Sequence, residues 1–194
     1  MTDKPAWPAM SIAQAHAMLT APGMPFEMEE VVIRGVPTRT WKNAPPSLRA
    51  VAEAGRAHGE KIFLVHEDER VSYEAFFRAT SAFARALQAQ GVVKGDRVAI
   101  IMRNLPEWPV AFYAAASIGA VVTPLNAWWT GPELEYGLTD SGAKVAVVDA
   151  ERLARIAEHM PKCPDLMCVF VSRDRKSTRL NSSHHAISRM PSSA

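Results

Sequence analysis

GVVKGDRVAIIMRNLPEWPVAFYAAASIGAVVTPLN, residues 91–126, holds a strand, a helix and a second strand in one short run. Gly91 and Gly95-Asp96 are turn signals. Arg97–Ile101 behind them is a continuous apolar run of strand length. Asn104-Leu105-Pro106-Glu107 has capping-box character with Pro early in the first turn. The helix it opens runs through Ile118 and is apolar nearly all round, as expected of a helix packed on both sides. Ala120–Thr123 follows as another strand. Strands that are apolar throughout, not alternately, belong to parallel sheets covered on both faces.

The pattern continues outward in both directions. Upstream, Ser72 is placed to cap a helix, with Glu74 in its first turn complementing the helix dipole. Tyr73, Phe76, Phe77, Thr80, Ala84 and Leu87 form one stripe at helical spacing; Glu74, Arg78, Ser81, Arg85 and Gln88 form the polar face. Before it come a helix over Ser47–Ala57, a strand at Ile62–Val65 and a polar turn, Glu67-Asp68-Glu69, leading into Arg70–Ser72. Downstream, Thr130-Gly131-Pro132-Glu133 is a second capping box, opening a helix that bears Leu134, Tyr136 and Leu138. Lys144–Val148 reads as a strand, Glu151–His159 as a helix and Leu166–Val171 as a last strand. Strand and helix alternate, so the fold class is α/β: a doubly wound, mainly parallel sheet of right-handed βαβ units. Residues 1–45 are rich in Pro and Met and read as an irregular lead-in, with a short helix at Ile12–Leu19 and a strand at Glu30–Ile33.

The last stretch, Asp174–Ala194 (DRKSTRLNSSHHAISRMPSSA), is expected to be foreign to the protein and disordered. It resembles translated read-through of a short sequencing adapter, one frame of which encodes Asp174–His184 and, after a variable index, Ser188–Ala194. Such segments are excluded from fold reasoning. Without its Arg175, Lys176, Arg179, Arg189 and Asp174, the formal charge changes from +2 to −1. The pI of 8.6 is then no footprint of nucleic-acid binding.

Composition limits the remaining classes. Cys163 and Cys168 are too few for a disulfide framework and lack zinc-ligand partners, so they read as small buried hydrophobes. Residues 108–125 carry no charge and are nearly long enough to span a bilayer. Pro109, Gly119 and Pro124 interrupt the run, however, and a buried helix followed by a buried strand explains it better than a transmembrane span. No G-x-G-x-x-G follows a strand, and neither a G-x-x-x-x-G-K-[ST] loop nor a G-x-S-x-G elbow occurs. Residues alone therefore supply no catalytic or metal-ligating candidate.

Ligands of open parallel sheets bind beyond the carboxyl ends of the strands. That rule selects three loops: Met102–Asn104, Pro124–Trp129 and the segment after Asp149. The second is richest. Asn126 can hydrogen-bond and Trp128 and Trp129 can stack on a ligand, although both tryptophans can equally anchor a neighbouring subdomain. Arg103 reads as a surface or interdomain ion pair, Asn104 as a helix cap and Glu67–Glu69 as a solvated turn.

The segment from Val71 to Asp149 resembles the start of the adenylate-forming (AMP-binding) synthetase superfamily, acyl-CoA synthetases in particular. The pieces GVVKGDRVAI, NLPEW, AFYAAASIGAVVTPLN and ELEYGLTDSGAKV stand in the family's order and spacing, and weaker similarity covers Pro46–Arg70. The resemblance implies that residues 46–173 are part of the family's large N-terminal domain, its first subdomain, and incomplete. It implies a cytoplasmic ligase, with peripheral membrane attachment left open. Such an enzyme uses ATP and Mg²⁺ to join a carboxylic acid, fatty or related acyl, to CoA through an acyl-adenylate. The phosphate loop and catalytic lysine of such enzymes lie further along the chain, so this piece alone is expected to be inactive and to bind none of these cofactors tightly. Asn126 and Trp128 are the candidate cofactor-binding residues, on the CoA and acyl side. Trp128 stands where some members of the family carry an Arg near the CoA phosphates, which puts a charge contact there in doubt. An adenylation domain loading a carrier protein and a non-catalytic α/β binding module are the alternatives. With Leu166–Val171 as the last strand, an exposed edge and poor solubility are expected.

Overall fold

The computed structural model describes residues 10–173 and, as backbone, 186–189. The chain divides into two units, Met1–Pro46 and Ser47–Ala194.

In the first unit, α1 (Ile12–Leu19) starts at a capping box. Gln14 N–H donates to Ser11 Oγ at 3.2 Å, and Ser11 N–H donates to the Gln14 side chain at 2.9 Å. The lead-in is not irregular beyond it. Strands β1 (Met28–Ile33) and β2 (Val36–Trp41) pair as an antiparallel hairpin in the register Val32↔Pro37, Glu30↔Arg39 and Met28↔Trp41. Arg34 and Gly35 form its two-residue turn, both at positive φ (50° and 82°), the geometry that matches strand twist. Sequence reading passed over β2 because Pro37 demotes a strand and Arg34 is a rare turn residue at that φ.

In the second unit, α2 (Leu48–Gly55) is capped by Ser47 and passes into a 3₁₀ turn at Arg56–His58. Strands β3 (Ile62–His66) and β4 (Glu69–Ser72) form a small antiparallel hairpin. Then come α3 (Tyr73–Ala89), β5 (Arg97–Ile101), α4 (Glu107–Ser117), β6 (Val121–Pro124) and α5 (Gly131–Ser141). After α5 the chain forms β7 (Ala143–Asp149), α6 (Ala150–Ile156) and β8 (Cys168–Ser172). The backbone of Ala186–Arg189 forms β9. Strands run in the order β6-β5-β7-β8-β9, every pair parallel. Pro124 closes β6 without losing a ladder bond, because β6 lies at the edge of the sheet.

Alternate residues of β5, β7 and β8 feed two cores, as the pleat requires. Val98, Ile100, Val145, Val147 and Phe170 pack with Phe76, Phe83, Leu87 and Ala114 of α3 and α4. Ala99, Ile101, Ala146, Val148 and Val169 pack with Leu134, Leu138 and Ile156 of α5 and α6. Helices thus cover both faces, and the sheet is doubly wound. Phe83, 1 % exposed, stands edge-on to Phe170 with centroids 5.0 Å apart, although the helical stripe read from sequence omits it. Tyr136 is exposed, not buried with Leu134 and Leu138. Cys163 and Cys168 are buried.

Of the three helix starts read as capped, two are. Ser72 Oγ accepts the Ala75 N–H at 3.1 Å, opening α3, and Thr130 N–H and Oγ1 both donate to Glu133 at the start of α5. Asn104 caps nothing: α4 begins after Pro106, and Leu105 N–H returns to the Arg103 carbonyl in a tight turn (2.7 Å). The β8 edge is also not bare, since Ala186–Arg189 pair with Cys168–Val171. An open parallel edge offers unpaired N–H and C=O groups, and the extended backbone of Ala186–Arg189 pairs with them. The rest of the segment read as foreign lies outside the described residues. Nor is Glu69 merely a solvated turn residue, because Arg173 donates to its carboxylate at 2.7 and 2.9 Å while also reaching Glu107 at 3.0 and 3.1 Å. One guanidinium therefore ties the β3–β4 hairpin to the first turn of α4.

Candidate functional site

The three carboxyl-end loops converge on one clasp, whose hub is Asp149, the last residue of β7 and the N-cap of α6. Its Oδ1 accepts the Arg152 N–H at 2.9 Å, the usual capping bond. Its Oδ2 accepts the Arg103 N–H at 3.1 Å, which fastens the loop after β5. Arg152 then turns back over the cap. The whole residue is only 1 % exposed, with Nη1 within 3.3–3.4 Å of both Asp149 oxygens and 2.8 Å from Glu151. Its Nε donates to the Ala127 carbonyl at 2.9 Å and so fastens the loop after β6. Arg155 adds bonds to the Ala127 and Trp129 carbonyls at 3.2 and 3.3 Å and pairs with Glu151. Burial pushes the Glu151 carboxyl up, but the Arg152 charge and the Arg155 hydrogen bond outweigh it and leave the group below the usual carboxylate range.

The candidate side chains take separate roles on this platform. Asn126 Oδ1 accepts the Trp128 N–H at 2.9 Å, so the amide oxygen shapes the loop. Trp129 packs with Leu125 against the second core, over Gly137, where an added methyl would sit 3.0–3.2 Å from both side chains. Trp128 is 64 % exposed. The Arg103 guanidinium carbon lies 4.2 Å from the centre of its ring and that of Arg152 5.8 Å away, so two cations flank one indole. Among the described residues Arg103 forms no ion pair with a carboxylate, and its guanidinium lies over Trp128. Trp129 thus packs into this unit's own core, and Trp128 leaves most of its indole exposed.

Such a surface can stack a flat group or hold an anion beside the indole. It contains no nucleophile with an adjacent base. The nearest approach to a catalytic pair is elsewhere, where His159 Nδ1 lies 2.6 Å from Glu135 and Lys162 Nζ 3.2 Å from the same carboxylate. Cys163 stands close by, but burial pushes its thiol up and makes it a poor nucleophile. Among the described residues, no three His, Cys, Asp or Glu side chains are grouped to hold a metal ion, and no helix is long and apolar enough to cross a membrane.

Sequence reading missed Arg152, Arg155 and the hub role of Asp149. Asp149 at the end of an apolar strand, just before a helix, is an N-cap signal that could have been read. The partnership of Arg152 with Ala127, 25 residues away, has no local signature.

The profile of the AMP-binding enzyme family matches residues 51–192. Over 83 residues the chain is 41 % identical to a long-chain-fatty-acid–CoA ligase, FadD13, of Mycobacterium tuberculosis, covering 43 % of this chain and 16 % of that protein. Over 122 residues it is 30 % identical to 4-hydroxybutyrate–CoA ligase 2 of Metallosphaera sedula, covering 63 % and 22 %. The chain thus spans about a fifth of the length of these relatives. Coronafacic acid ligase from Pectobacterium brasiliense shares the fold at a TM-score of 0.68 and 19 % identity, over 73 % of this chain and 28 % of that one. The anthranilate CoA ligase AuaEII, solved with anthranoyl-AMP, does so at 0.63 and 24 %, over 65 % and 25 %. With its doubly wound sheet and a matched span of more than half its length, the chain belongs to the AMP-binding enzyme family.

Proposed function

We propose that residues 46–173 are the opening part of a cytoplasmic, AMP-forming acyl-CoA ligase acting on a fatty or related carboxylic acid. The observation that carries this reading is the 41 % identity over 83 residues to a long-chain-fatty-acid–CoA ligase, together with the family match. In the reaction, a substrate carboxylate oxygen attacks the α-phosphorus of ATP and pyrophosphate leaves. The CoA sulfur then attacks the acyl carbon, its proton is lost, and AMP departs.

Only the scaffold share of that chemistry falls to this chain. The described residues hold neither a phosphate-cradling loop nor a set of carboxylates fit for Mg²⁺, so no step is assigned to them. Their contribution is a rigid ledge. Asp149, Arg152 and Arg155 lock two loops, and the locked loops present Trp128 with Arg103 on its face. Trp128 and Asn126 then face the CoA and acyl side of the complete enzyme: the indole supplies a stacking wall and Asn126 the loop geometry. Residues 174–194 have no part in this function.

The test is made on the complete gene product. Trp128→Ala should raise KM for CoA several-fold while adenylate formation, followed by pyrophosphate release, stays within about twofold, because removing contacts that act equally in ground and transition states alters binding alone. Equal loss in both half-reactions, or in neither, contradicts the assignment of the ledge to CoA.

A further inference from the structure

We propose that Arg103 binds a phosphate group of CoA and so sets the preference of the complete enzyme for a nucleotide-bearing thiol. The inference rests on the reading that turns the Trp128 ledge towards CoA. It adds to that ledge the charge contact that an indole cannot make.

Three observations carry it. The first is how the guanidinium is held. Its carbon lies over the Trp128 ring, 4.2 Å from the centre. A ring takes up the cation without pairing its N–H groups one by one, so the contact orients the side chain and leaves donors of its fork open. The second is charge. Asp149 and Glu151 are the carboxylates of the clasp, and they face Arg152 and Arg155. Among the described residues the Arg103 guanidinium meets no carboxylate and no carbonyl, so it is the uncompensated charge of the ledge. The third is anchorage. Arg103 N–H donates to the buried Asp149 carboxylate at 3.1 Å, which fixes the backbone from which this exposed side chain springs. A fork on fixed backbone, already steered by a ring, loses little freedom when it takes a ligand. The matching ligand is an anion that presents two oxygens to one fork, as a phosphate does.

The complete enzyme is assayed with CoA, dephospho-CoA and pantetheine. These carry a phosphomonoester and a diphosphate, the diphosphate alone, and neither. Arg103→Met keeps a stem over the indole and removes the fork. It should raise KM for CoA about tenfold, the worth of one charged hydrogen bond. KM for pantetheine, ATP and the fatty acid should stay within about twofold. Arg103→Lys keeps the charge and should recover part of the loss. Position 103 is exposed, so both variants should melt with the parent. Loss of the preference for CoA over dephospho-CoA assigns the contact to the phosphomonoester. Loss of the preference for dephospho-CoA over pantetheine assigns it to the diphosphate. Both preferences unchanged in Arg103→Met, or an equal rise in KM for pantetheine or the fatty acid, overturns the proposal. Trp128→Ala separates this from the reading beneath it. If that variant raises KM for CoA while Arg103→Met alters neither preference, the ledge still faces CoA and the role of Arg103 alone falls. If neither variant alters KM for CoA, both fall.

Discussion

Replacing Arg152 by Met tests whether the buried clasp holds the ledge together. The substitution keeps most of the side-chain volume, so packing changes little and the loss is polar. Removing one member of a buried ion pair can cost about 3–5 kcal/mol when the other charge is left bare. Asp149 would not be bare: it keeps the backbone N–H groups of Arg103 and, in the variant, of residue 152. Glu151 is more than half exposed and keeps Arg155, and the Ala127 carbonyl keeps Arg155 as well. Arg152 Nη2 is buried without a partner, so its removal recovers some desolvation. What remains is one charged hydrogen bond to a carbonyl and two ion pairs whose carboxylates keep other partners, about 2 kcal/mol in all. For a chain of this size that is a fall of roughly 4–8 °C in melting temperature. Urea denaturation followed by circular dichroism gives the number directly, with an unchanged slope showing that both end states are comparable. Arg155→Met, at a half-exposed position, should cost less than half as much. An Arg152→Met variant within about 0.5 kcal/mol of the parent would refute the clasp.

Other consequences follow from single contacts. Gly131→Ala puts a methyl onto the His159 ring and 2.9 Å from the Arg155 carbonyl, so α5 or the turn after α6 must shift. A loss of about 1–3 kcal/mol in chemical denaturation is expected, and a variant as stable as the parent would show that the packing of His159 is not as described. Asp96 is held below the usual carboxylate range by its hydrogen bond with Lys144 and by the Val93 N–H. A lowered carboxyl pKa adds stability that is fully present above the ordinary value of about 3.9 and is lost as pH falls through the lower folded value. Between pH 4 and 2 the melting temperature of Asp96→Asn should therefore fall less steeply than that of the parent; parallel curves would exclude Asp96 from acid unfolding. Glu69 is lowered in the same direction by Arg173, so Arg173→Ala should flatten the same limb and also cost about 1 kcal/mol at neutral pH.

Much of this architecture was legible because it is written locally. Ser72 and Thr130 announce their helices through side chains that bond within three residues, and uninterrupted apolar runs such as Val145–Val148 announce strands buried on both faces. Where local signals compete, reading failed. Asn104 has the composition of a cap, yet Pro106 starts the helix by itself through its fixed φ of −54°. Pro37 hid β2 because in an isolated two-stranded hairpin a strand has a free side on which a missing N–H is harmless. The candidate site was half legible. Its three loops follow from strand order and sheet polarity, and Trp128 follows from the loop. Arg152 did not, because a charged residue in a helix pattern reads as exposed until tertiary partners such as Ala127 bury it.

The most direct measurement follows both half-reactions on the complete gene product, read past codon 173 from genomic DNA. The purified enzyme is given ATP, Mg²⁺, a fatty acid and CoA, and its products are resolved by mass spectrometry. An acyl-CoA thioester appearing in step with AMP and pyrophosphate is the expected result. Acyl transfer only to a carrier-protein phosphopantetheine, or an authentic stop codon directly after Arg173, would contradict it.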